Sequence, residues 1–189
     1  MSSEQSLLQL KEWFKKNTKG NVFIALSGGV DSAIVALAAK KALGEKAIAI
    51  TANYKTLALF ELEDAKRVAH EIGIQHIIIE YNELEDENFV KNDINRCYYC
   101  RKSLGENIKR YEREYHVTDI VDGTHLDDTN DYRPGLKAMR EYKIKSPLLE
   151  QRIGKKEIRE IAREYNISVA NKPSNSCLAS RIPYGNNIT

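Results

Sequence analysis

Residues 21–43 pass from one apolar segment into another through a six-residue polar joint. NVFIAL (21–26) has the length and composition of a buried strand. AIVALAAKKAL (33–43) reads as a helix that Gly44 stops. The joint between them is SGGVDS (27–32). The same alternation recurs along the chain. KAIAITA (46–52) reads as a strand, 59–72 as a helix closed by Gly73, QHIIIEY (75–81) as a third strand and TDIVDGT (118–124) as a fourth. This order predicts an α/β fold: a doubly wound, mainly parallel sheet with helices on both faces. Further helices are expected over 5–17, from about Cys97 onward, as a turn over 136–141, and over 156–165. The polar stretch 82–96 reads as too charged for a core. Residues 171–189 read as a loop-rich tail, and 1–189 as a single domain.

The chain has 189 residues, 42% of them hydrophobic and 30% charged, enough for a substantial core and unlike a disordered chain. No apolar run approaches the roughly 18 residues of a membrane span, so no membrane partner is expected. The amphipathic, charged start does not resemble a signal peptide, which points to a cytoplasmic setting. Lys and Arg total 29 against 27 Asp and Glu, a net charge of +2, so a dedicated nucleic-acid surface is not expected. Three cysteines disfavour a disulfide framework and suit metal or sulfur chemistry in a reducing compartment.

Parallel sheets bind ligands at the carboxyl ends of their strands. SGGVDS, TANY (51–54) and DGTHLDD (122–128) all fall there. Gly28 and Gly29 let backbone amides approach phosphate oxygens, Ser27 and Ser32 add hydroxyls, and the following helix offers its positive end. A Walker lysine is absent from the loop, so a pyrophosphate suits it better than γ-phosphate transfer. Asp31 would repel phosphate unless a cation such as Mg²⁺ lies between them. The plainer alternative is a strand–turn–helix junction with Asp31 or Ser32 as cap. Asp122, Asp127 and Asp128 either hold Mg²⁺ or order their loop. Cys97 and Cys100 have C-x₂-C spacing, and Cys177 lies far off in sequence. The pair alone is compatible with redox, zinc or incidental roles. Three thiolates also suit an iron–sulfur cluster with one open iron. His76, His116 and His125 lack supporting spacing for zinc. Arg96, Arg101 and Lys102 flank the pair and either stabilise thiolates or form a solvated face.

SGGVDS resembles the signature of the PP-loop, or N-type, ATP pyrophosphatases. Asp122–Glu150 (DGTHLDDTNDYRPGLKAMREYKIKSPLLE) and 172–189 (KPSNSCLASRIPYGNNIT) extend that likeness to the LarE family of ATP-dependent sulfur transferases. The resemblance runs from about Asn21 to the C-terminus. It implies adenylation of a carboxylate on a pyridinium mononucleotide, release of pyrophosphate, and replacement of AMP by sulfur on the way to a nickel-pincer nucleotide. It implies Ser27, Gly28, Gly29, Asp31 and Ser32 as the pyrophosphate loop, and Thr51 and Asn53 near the adenosine. Gly123 and Arg133 join the cofactor-binding set, Arg133 toward a phosphate or carboxylate. Cys177, Arg181 and Asp31 are the expected catalytic residues. Cys97, Cys100 and Cys177 are the expected ligands of a 4Fe-4S cluster whose extra sulfide is the donor; in another subgroup the cysteine matching Cys177 is sacrificed. ATP, Mg²⁺ and the cluster are thus the implied cofactors. A small anionic, nucleotide-like acceptor, a sulfide source and a second copy of the chain are the implied partners, with a further region beyond PYG contributing to assembly. A cluster-dependent tRNA thiolase and a non-catalytic nucleotide or cluster carrier are the alternatives. Ammonia chemistry of the NAD synthetase kind gives three cysteines no task.

Overall fold

A computed structural model describes residues 2–130, 134–175 and 177–189. In chain order its elements are α1 (Ser3–Asn17), β1 (Asn21–Ala25), α2 (Val30–Leu43), β2 (Ala47–Asn53), α3 (Leu59–Ile72), β3 (Gln75–Glu80), α4 (Glu87–Val90), α5 (Arg96–Arg110), β4 (Val117–Val121), α6 (Gly135–Glu141), α7 (Pro147–Glu150) and α8 (Lys155–Glu164). Helix α1 starts on a capping box. The Ser2 hydroxyl accepts from the Gln5 amide and the Gln5 side chain accepts from the Ser2 amide, each at 3.2 Å. Helix α3 ends where Gly73 adopts φ +67° and its amide reaches Ala69 O and His70 O.

The strands form one parallel four-stranded sheet in the order β3-β2-β1-β4. Its two faces follow from side-chain alternation. Val22 and Ile24 of β1, with Ala47 and Ala49 of β2, pack under α1, α2 and α8. Phe23, Ile48, Ile50 and Ile120 point the other way, onto Ile108 of α5 and Met139 of α6. Both faces are therefore covered, and strands apolar on both sides are stable only in that arrangement. Alanines at 33, 36, 38 and 39 are fully buried in α2, so this helix lies close against its neighbours.

The chain lays down β1, β2 and β3 outward in one direction and then returns to the other side of β1 for β4. The order reverses at β1, which opens a crevice beyond the carboxyl ends of β1 and β4. Among the described residues no helix is long and apolar enough to cross a membrane.

The segment 82–96 departs from its expected solvent exposure. Glu83, Phe89, Asn92 and Arg96 are all buried. Hydrogen bonding is what makes this burial tolerable. Asn92 Nδ2 donates to Ile182 O at 3.3 Å, Pro183 O at 2.9 Å and Asn186 O at 2.9 Å. Arg96 Nη1 donates to Asn92 Oδ1 at 2.7 Å and Ala179 O at 3.0 Å. Gly185 N reaches Asn92 O at 3.1 Å and Ile188 N reaches Val90 O at 3.0 Å. Phe89, Ala179 and Ile188 form a small apolar core beneath. The tail is loop-rich, as its composition suggested, with one 3₁₀ turn (Leu178–Arg181), and it is clasped onto α4 and α5.

Candidate functional site

The SGGVDS joint is a rigid turn. Ser32 Oγ donates to Gly29 O at 3.0 Å and accepts from the Ser27 amide at 3.1 Å. Its proton thus used, Ser32 receives the Ser27 hydroxyl at 3.1 Å. Gly28 has φ +74°, and a Cβ there would lie 2.5 Å from Glu61 O and 2.9 Å from Ala65 N. Only glycine lets the loop press against α3 in this way. Gly123, after β4, is just as confined: its Cβ would fall 2.7 Å from Ser32 N. Gly29 stands at the N-cap of α2 without a side-chain cap, so neither Asp31 nor Ser32 plays that part. The first-turn amides of α2 are left to an outside acceptor, an arrangement suited to an anion.

Two lysines far along the chain surround this loop. Lys155 Nζ contacts Asp31 Oδ1 at 2.6 Å and Oδ2 at 2.7 Å. Lys172 Nζ donates to Gly28 O at 3.0 Å and pairs with Asp64 at 2.6 Å and Glu61 at 3.2 Å. Neither stood out in the sequence, because a lysine was sought inside the loop and these arrive from α8 and the tail.

The acidic loop after β4 is occupied with its own structure. Asp122 accepts from Thr124 N at 3.1 Å, Thr124 Oγ1 at 2.8 Å and Ser146 Oγ at 2.8 Å. Asp127 accepts from Lys155 N at 2.7 Å and so caps α8 from outside. Asp128 accepts from His125 N at 3.0 Å. Of the two readings of these carboxylates, loop ordering is the one the hydrogen bonds display. His125 is buried, with Nε2 3.7 Å from Asp31 Oδ1. Among the described residues no group of three or more His, Cys, Asp or Glu stands at metal-ligand spacing.

A cavity of about 280 Å³ joins the loop to the sulfur-bearing segments. Its wall holds Ser27, Gly29 and Asp31 of the loop, Lys155 and Lys172, and also Tyr54, Arg101 and Cys177. Thr51 is buried; its Oγ1 donates to Leu26 O at 2.6 Å and meets His76 Nε2 at 2.7 Å. With the hydroxyl proton spent on Leu26, His76 is the donor to Thr51, and burial lowers its pKa. Asn53 donates to Glu80 at 3.1 Å. Neither Thr51 nor Asn53 lines the cavity; the following Tyr54 does. Arg181 is exposed at the end of its 3₁₀ turn and outside the cavity wall. Arg133 lies outside the described residues.

All three cysteines are free thiols; Cys97 and Cys177 are exposed and Cys100 is half-buried. Burial pushes the Cys100 thiol up to about 11; Arg101 pulls it back, while Cys177 and then Cys97 push it further. The flanking arginine therefore does not win, and Cys100 is a protonated thiol at neutral pH. Tyr54 and Tyr81, ring centroids 5.7 Å apart, have phenols raised by burial and then, most strongly, by Cys100.

A family model described as NAD synthase matches residues 3–125, which contain the phosphate loop, the C-x₂-C pair and Gly123. The chain belongs to the NAD synthase family. Within it, this NAD synthase family member is 40% identical over 186 residues to an uncharacterized protein of Synechocystis (slr1717), covering 98% of this chain and 69% of the relative. It is 32% identical over 171 residues to the pyridinium-3,5-bisthiocarboxylic acid mononucleotide synthase of Lactiplantibacillus plantarum, covering 89% of this chain and 61% of that synthase. The LarE-like resemblance of the sequence thus has a counterpart across most of the chain. Among solved structures, NMN synthetase from Francisella tularensis superposes with a TM-score of 0.70 over 93% of this chain and 76% of its own, at 16% identity. That likeness concerns the fold, a parallel α/β sheet of PP-loop type.

Proposed function

We propose that this NAD synthase family member is an ATP-dependent sulfur transferase that adenylates a carboxylate on a pyridinium-type mononucleotide and exchanges AMP for sulfur. The observation that carries the reading is that the phosphate loop and Cys177 line the same cavity. The name of the Lactiplantibacillus relative supports the acceptor class.

In this reading the uncapped amides of α2 bind the phosphates, and Lys155 and Lys172 offset their charge. Asp31 offers the hard oxygen donors that Mg²⁺ takes; when bound, that ion screens the phosphates from the carboxylate. An acceptor carboxylate oxygen attacks the α-phosphorus, the α–β bridging bond breaks, and pyrophosphate leaves into the amide cradle. The carboxylate is already ionised, so no general base is required, and positioning dominates. A sulfur nucleophile then adds to the acyl carbon and AMP departs. Cys97, Cys100 and Cys177 are the soft donors that would have to converge to hold an iron–sulfur cluster. Such a cluster, when bound, supplies the sulfur. The residues of the chain hold and shield it.

The test is anaerobic purification and reconstitution, with iron and acid-labile sulfide measured beside pyrophosphate release. About four irons and four sulfides per chain, lost in Cys97→Ala, Cys100→Ala and Cys177→Ala, are expected. Ammonium-dependent pyrophosphate release with no sulfur in the product would replace this reading with an amidating one.

A further inference from the structure

Three cationic side chains line the cavity, and they are not equivalent. Lys155 is paired with Asp31, and Lys172 with Glu61 and Asp64. The Arg101 guanidinium makes no hydrogen bond or ion pair among the described residues. A charged, five-donor group left without an acceptor in a cavity wall is suited to an incoming anion.

The surroundings keep that charge unspent. Tyr54 lines the same cavity and is an uncharged phenol, its pKa raised by burial. Asp122 is the remaining negative neighbour, and its carboxylate already accepts from Thr124 and Ser146. The arginine stem is also held in place. A Cβ at Gly135 would lie 2.9 Å from Arg101 Cγ and 3.3 Å from Cys97 O, so the stem rests against bare backbone. Arg101 directly follows Cys100 and lines the same cavity as the phosphate loop and Cys177, so an anion held there shares that cavity with both.

We propose that Arg101 is the specificity-determining residue that holds a carboxylate of the acceptor through a forked pair of N–H bonds. This rests on the sulfur-transferase reading above, which supplies the carboxylate-bearing mononucleotide as the acceptor class. It predicts that the cavity distinguishes a carboxylate from its uncharged amide. The lysines near the loop cannot do this, since the phosphates claim them.

Calorimetric titration of the full chain with nicotinate mononucleotide and nicotinamide mononucleotide tests the point, with ATP titrated in parallel. Wild type is expected to favour the carboxylate form. Arg101→Gln is expected to lose about ten- to a hundred-fold in nicotinate mononucleotide affinity, the range for a charged hydrogen bond, and to bind the amide as wild type does. Arg101→Lys is expected to recover part of the preference. Gly135→Ala, which displaces the stem, is expected to weaken the same discrimination. An unchanged carboxylate preference in Arg101→Gln overturns the proposal, as does an equal loss of both mononucleotides and ATP, which would mark Arg101 as structural. Binding of ATP but of neither mononucleotide by wild type overturns the acceptor class itself, a failure separable from the first.

Discussion

Replacing Arg96 by Met keeps the aliphatic stem and removes the charged head. The head donates to Asn92 Oδ1 at 2.7 Å and Ala179 O at 3.0 Å, and its guanidinium carbon lies 5.1 Å from the Tyr184 ring centroid. Hydrogen bonds from charged donors contribute about 1.5–3 kcal/mol each. Of the two, only the bond to Ala179 O reaches the tail and is lost when it lifts, about 2 kcal/mol. An exposed cation–π contact adds about 0.5 kcal/mol, and Tyr184 is 62% exposed. Opening of residues 177–189 should therefore become easier by about two orders of magnitude. Amide hydrogen exchange reads this directly, at Ile188 N and Gly185 N, which bond to Val90 O and Asn92 O. Both should exchange about a hundred-fold faster, while amides in β1 keep their protection. Pyrophosphate release should persist and sulfur transfer should fall, because Cys177 travels with the tail. Equal acceleration at the tail and in β1 would refute the clasp and make Arg96 a global core residue.

Gly28→Ala forces φ +74° on a side chain and a Cβ into Glu61 O and Ala65 N; a loss of at least 1–2 kcal/mol is expected from the backbone alone, visible in denaturant melts, together with weak ATP binding. Lys155→Met should lower ATP affinity about ten- to a hundred-fold in a nucleotide titration, and unchanged affinity would remove Lys155 from the phosphate site. Phe23→Ala, emptying a fully buried position in β1, should cost about 3–5 kcal/mol of stability. For Cys100 the folded pKa is raised from 9.0 to about 11. The stability linked to this thiol is thus fully present below pH 9 and is lost as pH rises through 11. Iodoacetamide at pH 8 should label the exposed Cys97 and Cys177 well before Cys100, with mass spectrometry of tryptic peptides as the readout.

The strand–joint–helix run of residues 21–43 was legible because local rules suffice there. Apolar residues in continuous runs, Gly-Gly at the turn and Gly44 at the stop all act within a few positions. The parallel sheet followed by the same logic. The site was legible only in part. Ser27, Gly29, Asp31 and Cys177 line one cavity, but Lys155, Lys172 and Arg101 come from segments whose charge looks like any solvated surface. Asn92 and Arg96 were misjudged for a related reason. Burial supported by hydrogen bonds to distant carbonyls leaves no hydrophobic period, so polar composition concealed a packed segment. Thr51 and Asn53, which the resemblance places near the adenosine, bond through their side chains to Leu26 O and Glu80.

The Arg96 clasp has a consequence for chemistry as well as for stability. Arg96 directly precedes Cys97, and Ala179, whose carbonyl it binds, follows Cys177 by two residues. One guanidinium therefore tethers the two thiol-bearing segments at fixed separation. Thiols joined in this way meet as an intramolecular encounter, at an effective concentration of about millimolar or above, whatever the dilution of the protein. Cutting the tether is expected to slow any chemistry that needs the thiols together, at every protein concentration alike, while nucleotide binding is retained.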